Sequence, residues 1–141
     1  MVKKYFRTVT ETTKQPCYLR SRQGIAATMD RLRVLMDRDD VPFEKRASFI
    51  WDRYRAVWKD MSIQDWNDIF RVLVLEEIVR FLILADFEIA RQDQSNALDY
   101  QDSYNAEFGI QLMLQCFVTL SDLYQVLRED GRPCPNEFEF R

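Results

Sequence analysis

The stretch FIWDRYRAVWKDMSIQ, residues 49–64, decides how this chain is read. Extended back to Phe43, its apolar residues fall at Phe43, Ala47, Ile50, Tyr54, Val57 and Met61. Steps of three and four residues put all of them on one stripe of an α-helix. Trp51 and Trp58 widen that stripe on one side, while Ser48, Asp52, Arg55 and Lys59 occupy the opposite face. Phe49, Arg53, Ala56 and Asp60 make a third row, mixed in character, with one large aromatic in it. A helix marked in this way is expected to meet neighbours on more than one side.

Around that helix the composition is that of an ordered, helix-rich protein. Of the 141 residues, 47% are hydrophobic and only three are glycine and four proline, which supplies a core and argues against disorder. The net charge of -3 is too small to suggest a polyanion binder, but it is unevenly spread. Residues 1–22 carry six Lys or Arg against one acidic residue, net +5, which leaves -8 for the remainder. Cys17, Cys116 and Cys134 have neither the count nor the spacing of a disulfide framework or a zinc site, so free thiols in a reducing compartment are expected. The absence of histidine from the sequence excludes any His-containing metal site. MVKKYFRT turns basic with no apolar run behind it, so no secretory leader is read there. The most apolar segment, residues 69–87, contains Arg71, Glu76, Glu77, Arg80 and Asp86, too many charges for a conventional membrane span.

Residues 1–22 read as an extended basic arm, because Thr8, Thr10, Thr12 and Thr13 disfavour a long helix and Pro16 breaks one. Its cations Lys3, Lys4, Arg7, Arg20 and Arg22 admit two readings: a phosphate-contacting arm, or a solvated strap lying on an acidic body. The strap is the reading preferred, since no glycines interleave with the cations as in a nucleic-acid groove. A first helix is expected over residues 23–37, burying Ile25, Met29, Leu32, Leu35 and Met36. Pro42 opens the second, where its missing N–H costs nothing. That helix is read as ending near Asp60, with Ser62 capping a third helix over residues 63–90.

The third helix is apolar nearly all round and is expected to be sandwiched between layers. Trp66, Ile69, Phe70, Leu73, Ile78, Phe81, Leu82 and Phe87 form its main row, with Val72, Val74, Leu75, Val79, Ile83 and Leu84 on the other faces. Glu76 and Glu77 precede Arg80 by four and three residues, the spacing of an intrahelical ion pair. Adjacent Glu residues on a helix diverge by about 100°, which argues against a shared acid–base role. Residues 91–103 are polar and read as a loop. A fourth helix over residues 105–129 turns Phe108, Leu112, Phe117, Leu120, Tyr124 and Leu127 inward, until Gly131 stops it and Pro133 prevents resumption. Asn136 followed by Glu137 and Glu139 has the look of a further helix start. One turn has no stability of its own, so the sequence is expected to be part of a longer protein.

The central stretch resembles the signature helix of the SAC/GANP family, whose pattern runs approximately F-x-x-D-R-x-R-[AS]-[IV]-x-[KQ]-D-[LIM]-x-x-Q. Phe49, Asp52, Arg53, Arg55, Ala56, Val57, Lys59, Asp60, Met61 and Gln64 supply it here. The likeness continues at both ends. VKKYFR at residues 2–7, followed by Leu19-Arg20, is similar to an N-terminal element of the family, with Ser21 where proline is usual. EIVRF at 77–81 resembles an E-x-x-x-R-F element that includes Arg80, with Leu82 in place of a frequent histidine. Asn105, Leu120, Leu123, Tyr124 and Leu127 match a later helix, and PNEFEFR at 135–141 resembles the element that introduces the next helical pair. Trp58 stands where the family is often basic, which removes a charge from the face holding Arg55 and Lys59.

The resemblance implies an all-α fold of antiparallel helical pairs forming a TPR-like, PCI-type superhelix. Residues 1–22 would be the arm and residues 23–141 the N-terminal helical part, with the winged-helix half absent. It implies a scaffold of transcription-coupled nuclear mRNA export that docks a PCI-domain subunit and a small acidic DSS-type protein, located in the nucleus, with the nuclear pore as a further expectation. Phe49, Asp52, Arg53, Arg55, Lys59, Asp60, Gln64 and Arg80 would serve the structure or touch a partner, and ion pairs with Asp52, Glu76 or Glu77 are the preferred role for Arg53, Arg55 and Arg80. Lys3, Lys4, Arg7, Arg20 and Arg22 are the candidate contacts to RNA, a weak signal in this chain. Catalysis finds no support: there is no glycine-rich phosphate loop and no nucleophile with a plausible base. No cofactor, metal, membrane or small-molecule substrate is expected. The alternatives are a helical scaffold of another PCI-type assembly, such as the proteasome lid, a translation-initiation complex or a centrosomal factor, and an RNA-binding module that uses the basic arm.

Overall fold

A computed structural model describes residues 3–8, 10, 14–92 and 105–140. Among them are four α-helices and no strand: α1 (Arg22–Met36), α2 (Phe43–Gln64), α3 (Ile69–Gln92) and α4 (Ala106–Glu129). Short 3-10 turns lie at Pro16–Tyr18 and Glu137–Glu139. The fold class is all-α. The chain divides into two units, one ending at Asp65 and one beginning at Trp66. Arg91 and Gln92 close α3, and the remainder of the segment read as a polar loop lies outside the described residues, as do Val2, Thr12, Thr13 and Arg141.

In the first unit α1 begins at Ser21, whose hydroxyl accepts the Gly24 N–H at 3.2 Å. Ile25, Met29 and Leu32 form its buried row, with Leu35 and Met36 half-buried beyond them. Buried Thr28 is satisfied by donating to the Gly24 carbonyl one turn back, at 2.7 Å. Along α2 the stripe of Ala47, Ile50, Tyr54, Val57 and Met61 is buried as its spacing requires, with Phe43 half-buried at its start. Trp51, Ala56 and Asp60 are buried too, so this helix is covered on more than its one apolar face.

The boundary between the second and third helices falls elsewhere than the sequence reading placed it. The α2 helix runs past Asp60 to Gln64, and Ser62, read as an N-cap, donates to the Trp58 carbonyl at 2.9 Å inside the last turn. Asp65 ends the helix in a left-handed conformation, φ 48° and ψ 49°, with its N–H on the Met61 carbonyl. Asp68 caps α3, its carboxylate accepting the Arg71 N–H at 3.0 Å. Ser-x-x-Asp imitates a start signal, but no proline or glycine intervenes between Asp60 and Asp65 to break α2.

In the second unit α3 packs on α4. Val72, Leu75, Ile78, Val79, Leu82 and Ala85 are fully buried, as are Leu120, Tyr124 and Leu127 across from them. The expectation that α3 is sandwiched between layers is corrected: Ile69, Leu73, Leu84 and Phe87 form an open row, and Phe87 is 62% exposed. Among the described residues no layer covers that row. On α4 the inward row is Gly109, Leu112, Cys116, Leu120, Leu123 and Leu127. Phe108, expected inside, lies one position off that row, about 100° around the helix, and is 47% exposed. A second apolar row, Ile110, Leu114 and Val118, is open. It helps make α4 the one described helix long and apolar enough, by length and composition, to cross a membrane. Gly131, at φ 72°, closes α4 as its position in the sequence required. The Arg132 N–H reaches Leu127 O at 2.7 Å and the Gly131 N–H reaches Arg128 O at 3.0 Å, the paired bonds of a Schellman motif.

Candidate functional site on the second helix

The basic arm folds back along α2 and is held there by the residues of the 49–64 stretch. At its centre is Asp60, whose side chain is 2% exposed. Its Oδ1 accepts Lys3 Nζ at 2.7 Å and its Oδ2 accepts Arg20 Nη1 at 2.9 Å. One buried carboxylate thus ties both ends of the arm. The ends also brace each other: Arg20 Nη2 donates to the Lys3 carbonyl at 3.0 Å, and Lys3 Nζ to the Tyr18 carbonyl at 2.9 Å. The 3-10 turn Pro16–Tyr18, with Leu19 N–H on Pro16 O at 3.2 Å, bends the chain so that Arg20 arrives at the carboxylate. Burial lowers the Arg20 pKa from the ordinary arginine value, and Asp60 opposes that shift.

Other α2 side chains grip the arm by its backbone. Asp52 Oδ2 accepts the Tyr5 N–H at 3.1 Å, and Lys59 Nζ donates to the carbonyls of Phe6 and Arg7, the latter at 3.1 Å. Gln64 Nε2 donates to the Arg20 carbonyl at 3.0 Å and to the Asp60 carbonyl at 3.0 Å. Burial, and the charge of Lys3, lower the Lys59 pKa, with Asp60 pulling the other way. The Tyr5 ring lies under Arg55, 4.2 Å from the guanidinium carbon, and 5.1 Å from Lys59 Nζ. Arg55 also stacks on Trp51 at 3.7 Å, and Arg53 on Phe49 at 4.2 Å. Both arginines pair with Asp52, Arg55 at 3.5 Å. Their Nε atoms are buried with no hydrogen-bond acceptor. Burial lowers the Arg55 pKa, partly offset by Asp52.

The structure therefore brings together Asp52, Arg53, Arg55, Lys59, Asp60 and Gln64 with Lys3 and Arg20 at one place, and Phe49 sits beside Arg53. Lys4, Arg7 and Arg22 are exposed. Arg80 lies in the other unit, pairing with Glu139 at 2.9 Å and reaching Glu76 at 3.9 Å. Sequence reasoning missed Tyr5 and Trp51 as the aromatic partners of Arg55. The signal was present: in an extended segment Lys3 and Tyr5 share a side, and both turn to α2, while Phe6, on the other side, is 60% exposed.

A second polar cluster was also missed as a cluster. Glu76, fully buried, accepts Tyr124 Oη at 2.9 Å and Asn136 Nδ2 at 2.7 Å. Asn136, read as an N-cap, makes no cap bond; its side chain is spent on Glu76. Burial first, then the bond to Glu76, raises the Tyr124 pKa. Arg128 pairs with Glu137, and Arg80 stacks on Phe140 at 4.8 Å, so the segment after Pro133 is fastened to α3 and α4. Among the described residues no group of three or more Cys, Asp or Glu is placed to hold a metal ion.

The geometry is one of charged side chains holding backbone. "SAC3 family protein B" of Arabidopsis thaliana is 29% identical over 141 residues, covering 99% of this chain and 8% of its own length. "SAC3 family protein 1" of Schizosaccharomyces pombe is 33% identical over 100 residues, 71% of this chain and 9% of its own. "Protein xmas" of Drosophila melanogaster is 30% identical over 93 residues, 66% of this chain and 4% of its own. The chain thus spans less than a tenth of each relative's length. The model of the SAC3/GANP family matches residues 1–141 from end to end, arm and α2 together, and the chain belongs to the SAC3/GANP family.

Proposed function

We propose that this chain is part of a non-enzymatic scaffold that docks a PCI-type subunit and a small acidic DSS-type protein, and so couples transcription to nuclear mRNA export. The observation that carries the reading is the family match over the whole of residues 1–141. Two features of the structure support a docking role. The charged residues of α2 hold a segment of chain by its backbone and contain no catalytic grouping, and the helices of the second unit leave the apolar rows of Ile69, Leu73, Leu84 and Phe87, and of Ile110, Leu114 and Val118, open to further helices. The reading places the protein in the nucleus, with a pore-associated pool.

RNA binding by the arm has less support. Lys3 and Arg20, two of its five candidate cations, are already engaged by Asp60. Counterion release scales with the number of phosphates neutralised, so the exposed Lys4, Arg7 and Arg22 make a small footprint.

Affinity purification of the full-length protein, tagged at its own locus, followed by mass spectrometry tests the scaffold reading. Recovery of a PCI-domain subunit together with a small acidic protein and nuclear-pore components is the expected result. Recovery of proteasome-lid, initiation-factor or centrosomal subunits in their place would keep the helical architecture and overturn the export function.

A further inference from the structure

The arm is bound to α2 in an unusual manner for a segment within one chain. None of its described residues between Lys3 and Arg20 is buried; Phe6 is 60% and Tyr18 52% exposed. Among the described residues its attachment consists chiefly of hydrogen bonds, ion pairs and ring–cation contacts, with Tyr5 and Leu19 half-buried. On the receiving side the opposite is true. Asp60 and Trp51 are buried, and Asp52 is 17% exposed at its side chain. Their positions on α2 are fixed by the buried stripe of the same helix.

A preorganised receptor and a loosely held occupant make an exchangeable pair. The contacts also read like peptide recognition. Backbone is held at Tyr5, Phe6, Arg7 and Arg20 by Asp52, Lys59 and Gln64, in a manner indifferent to side chains. Three side chains are selected: Lys3 and Arg20 by Asp60, and the Tyr5 ring by Arg55 and Lys59. When the arm leaves, Asp60 loses both cations at once. A peptide of the same chemistry would restore both pairs.

We infer that the face of α2 built from Trp51, Asp52, Arg55, Lys59, Asp60 and Gln64 is a binding site for an extended basic peptide of a partner protein, with a lysine, an aromatic two residues on, and a second cation that reaches the same carboxylate. The chain's own arm fills it as a competitor in cis. The arm's own contacts select this occupant: Asp60 takes two cations and Asp52 a backbone N–H, while Lys59 takes backbone carbonyls and, with Arg55, the Tyr5 ring. The inference does not depend on the export reading, and its test involves no export partner.

The probe is a fluorescein-labelled synthetic peptide of residues 1–22, titrated into the intact chain and followed by anisotropy. The wild-type chain should bind it weakly, because a tethered arm competes at an effective concentration in the millimolar range. In the chain carrying Lys3→Ala and Arg20→Ala the cis arm has lost both cations, and the peptide should bind about tenfold tighter or better, the change expected when several charge-assisted contacts are removed from a competitor. Adding Asp60→Asn to that chain should abolish the gain, as should Lys3→Ala with Arg20→Ala in the peptide. A helical, cooperatively unfolding double variant that binds no better than wild type overturns the inference, and so does a gain untouched by Asp60→Asn. Hydrogen exchange on the wild-type chain provides a test that needs no variant to fold. The Tyr5 amide, bonded to Asp52, should exchange at least about 100-fold faster than buried α2 amides such as Val57, as a sub-global opening requires. Exchange at matching rates would mean that the arm leaves only when the whole unit unfolds, and would sink the proposal.

Discussion

At the scale of single residues, the buried polar and charged side chains among the described residues include Thr28, Asp60, Arg71 and Glu76. Glu76 is the most demanding, since it is fully buried and surrounded by donors from three parts of the second unit: Tyr124, Asn136 and, at 3.9 Å, Arg80. Tyr124→Phe removes one donor from a charged acceptor that cannot reach water, and is expected to cost about 1–3 kcal/mol, read as a fall in urea midpoint with the slope unchanged. Asn136→Ala should cost a similar amount, and the double variant should differ from the sum because both act on one carboxylate. Strict additivity would show that the cluster does not act as a unit. The buried thiols make a separate prediction. Burial raises Cys116 from 9.0 to about 12, opposed by Arg71, and burial with the nearby Glu76 raises Cys134. The unfolded chain then loses these protons first as pH rises, so the folded state binds more protons and stability falls with pH by linkage. For Cys116 the contribution is complete below about pH 9 and is lost between there and about pH 12. Tyr124 acts in the same direction above the ordinary tyrosine range. Urea midpoints at pH 7, 9, 10 and 11 should decline, and Cys116→Ala should make the decline shallower. At pH 8 a thiol reagent should find exposed Cys17 quickly and buried Cys116 and Cys134 only on unfolding.

At the scale of elements, the positions that end helices show what a sequence does and does not announce. Gly131 was legible because a glycine after a long apolar period, with proline two residues on, has one economical meaning, and the paired bonds at Leu127 and Arg128 give it physical content. Gly131→Ala puts a Cβ at φ 72° and is expected to cost about 1 kcal/mol, measured as a lower melting temperature with α4 helicity frayed at its last turn. The Asp65 end was not legible. A non-glycine residue in the left-handed region gives no composition signal, and Ser62, three residues before it, mimics a cap. The stripe of α2 was read correctly because it is a matter of period alone; five of its six positions are buried. Inward faces on α4 were harder, since Phe108 is larger and more apolar than Gly109, and only packing against α3 decides which turns in. The candidate site was half legible. A motif of charged residues on α2 was visible as a motif, but its purpose lay in Lys3, Tyr5 and Arg20, 40 to 57 positions away, at separations no periodicity can report.

At the scale of the whole molecule, the two units differ in what they leave open. The first satisfies its charged helix face with its own arm, whereas the second exposes apolar rows on both of its long helices and presents Phe138 at 80% exposure on a turn fastened by Glu137 and Glu139. The chain spans less than a tenth of the length of each of these relatives, and whether its open rows meet other chains is open to test. Leu114 and Val118, at 58% and 64% exposure, are the places to ask. Substituting both by glutamate should leave helicity unchanged and shift stability by no more than about 0.5 kcal/mol per site, the usual range for surface positions. The same double variant in the full-length protein should lose co-purifying partners if α4 is a docking face, because two buried, unpaired carboxylates in an apolar interface are costly. The two readouts separate the cases. A large loss of stability in the 141-residue chain would mean that the row is already packed within it, and unchanged stability with unchanged partners would mean that the scaffold presents some other surface. Unchanged stability with lost partners would assign the row of Ile110, Leu114 and Val118 to the assembly itself.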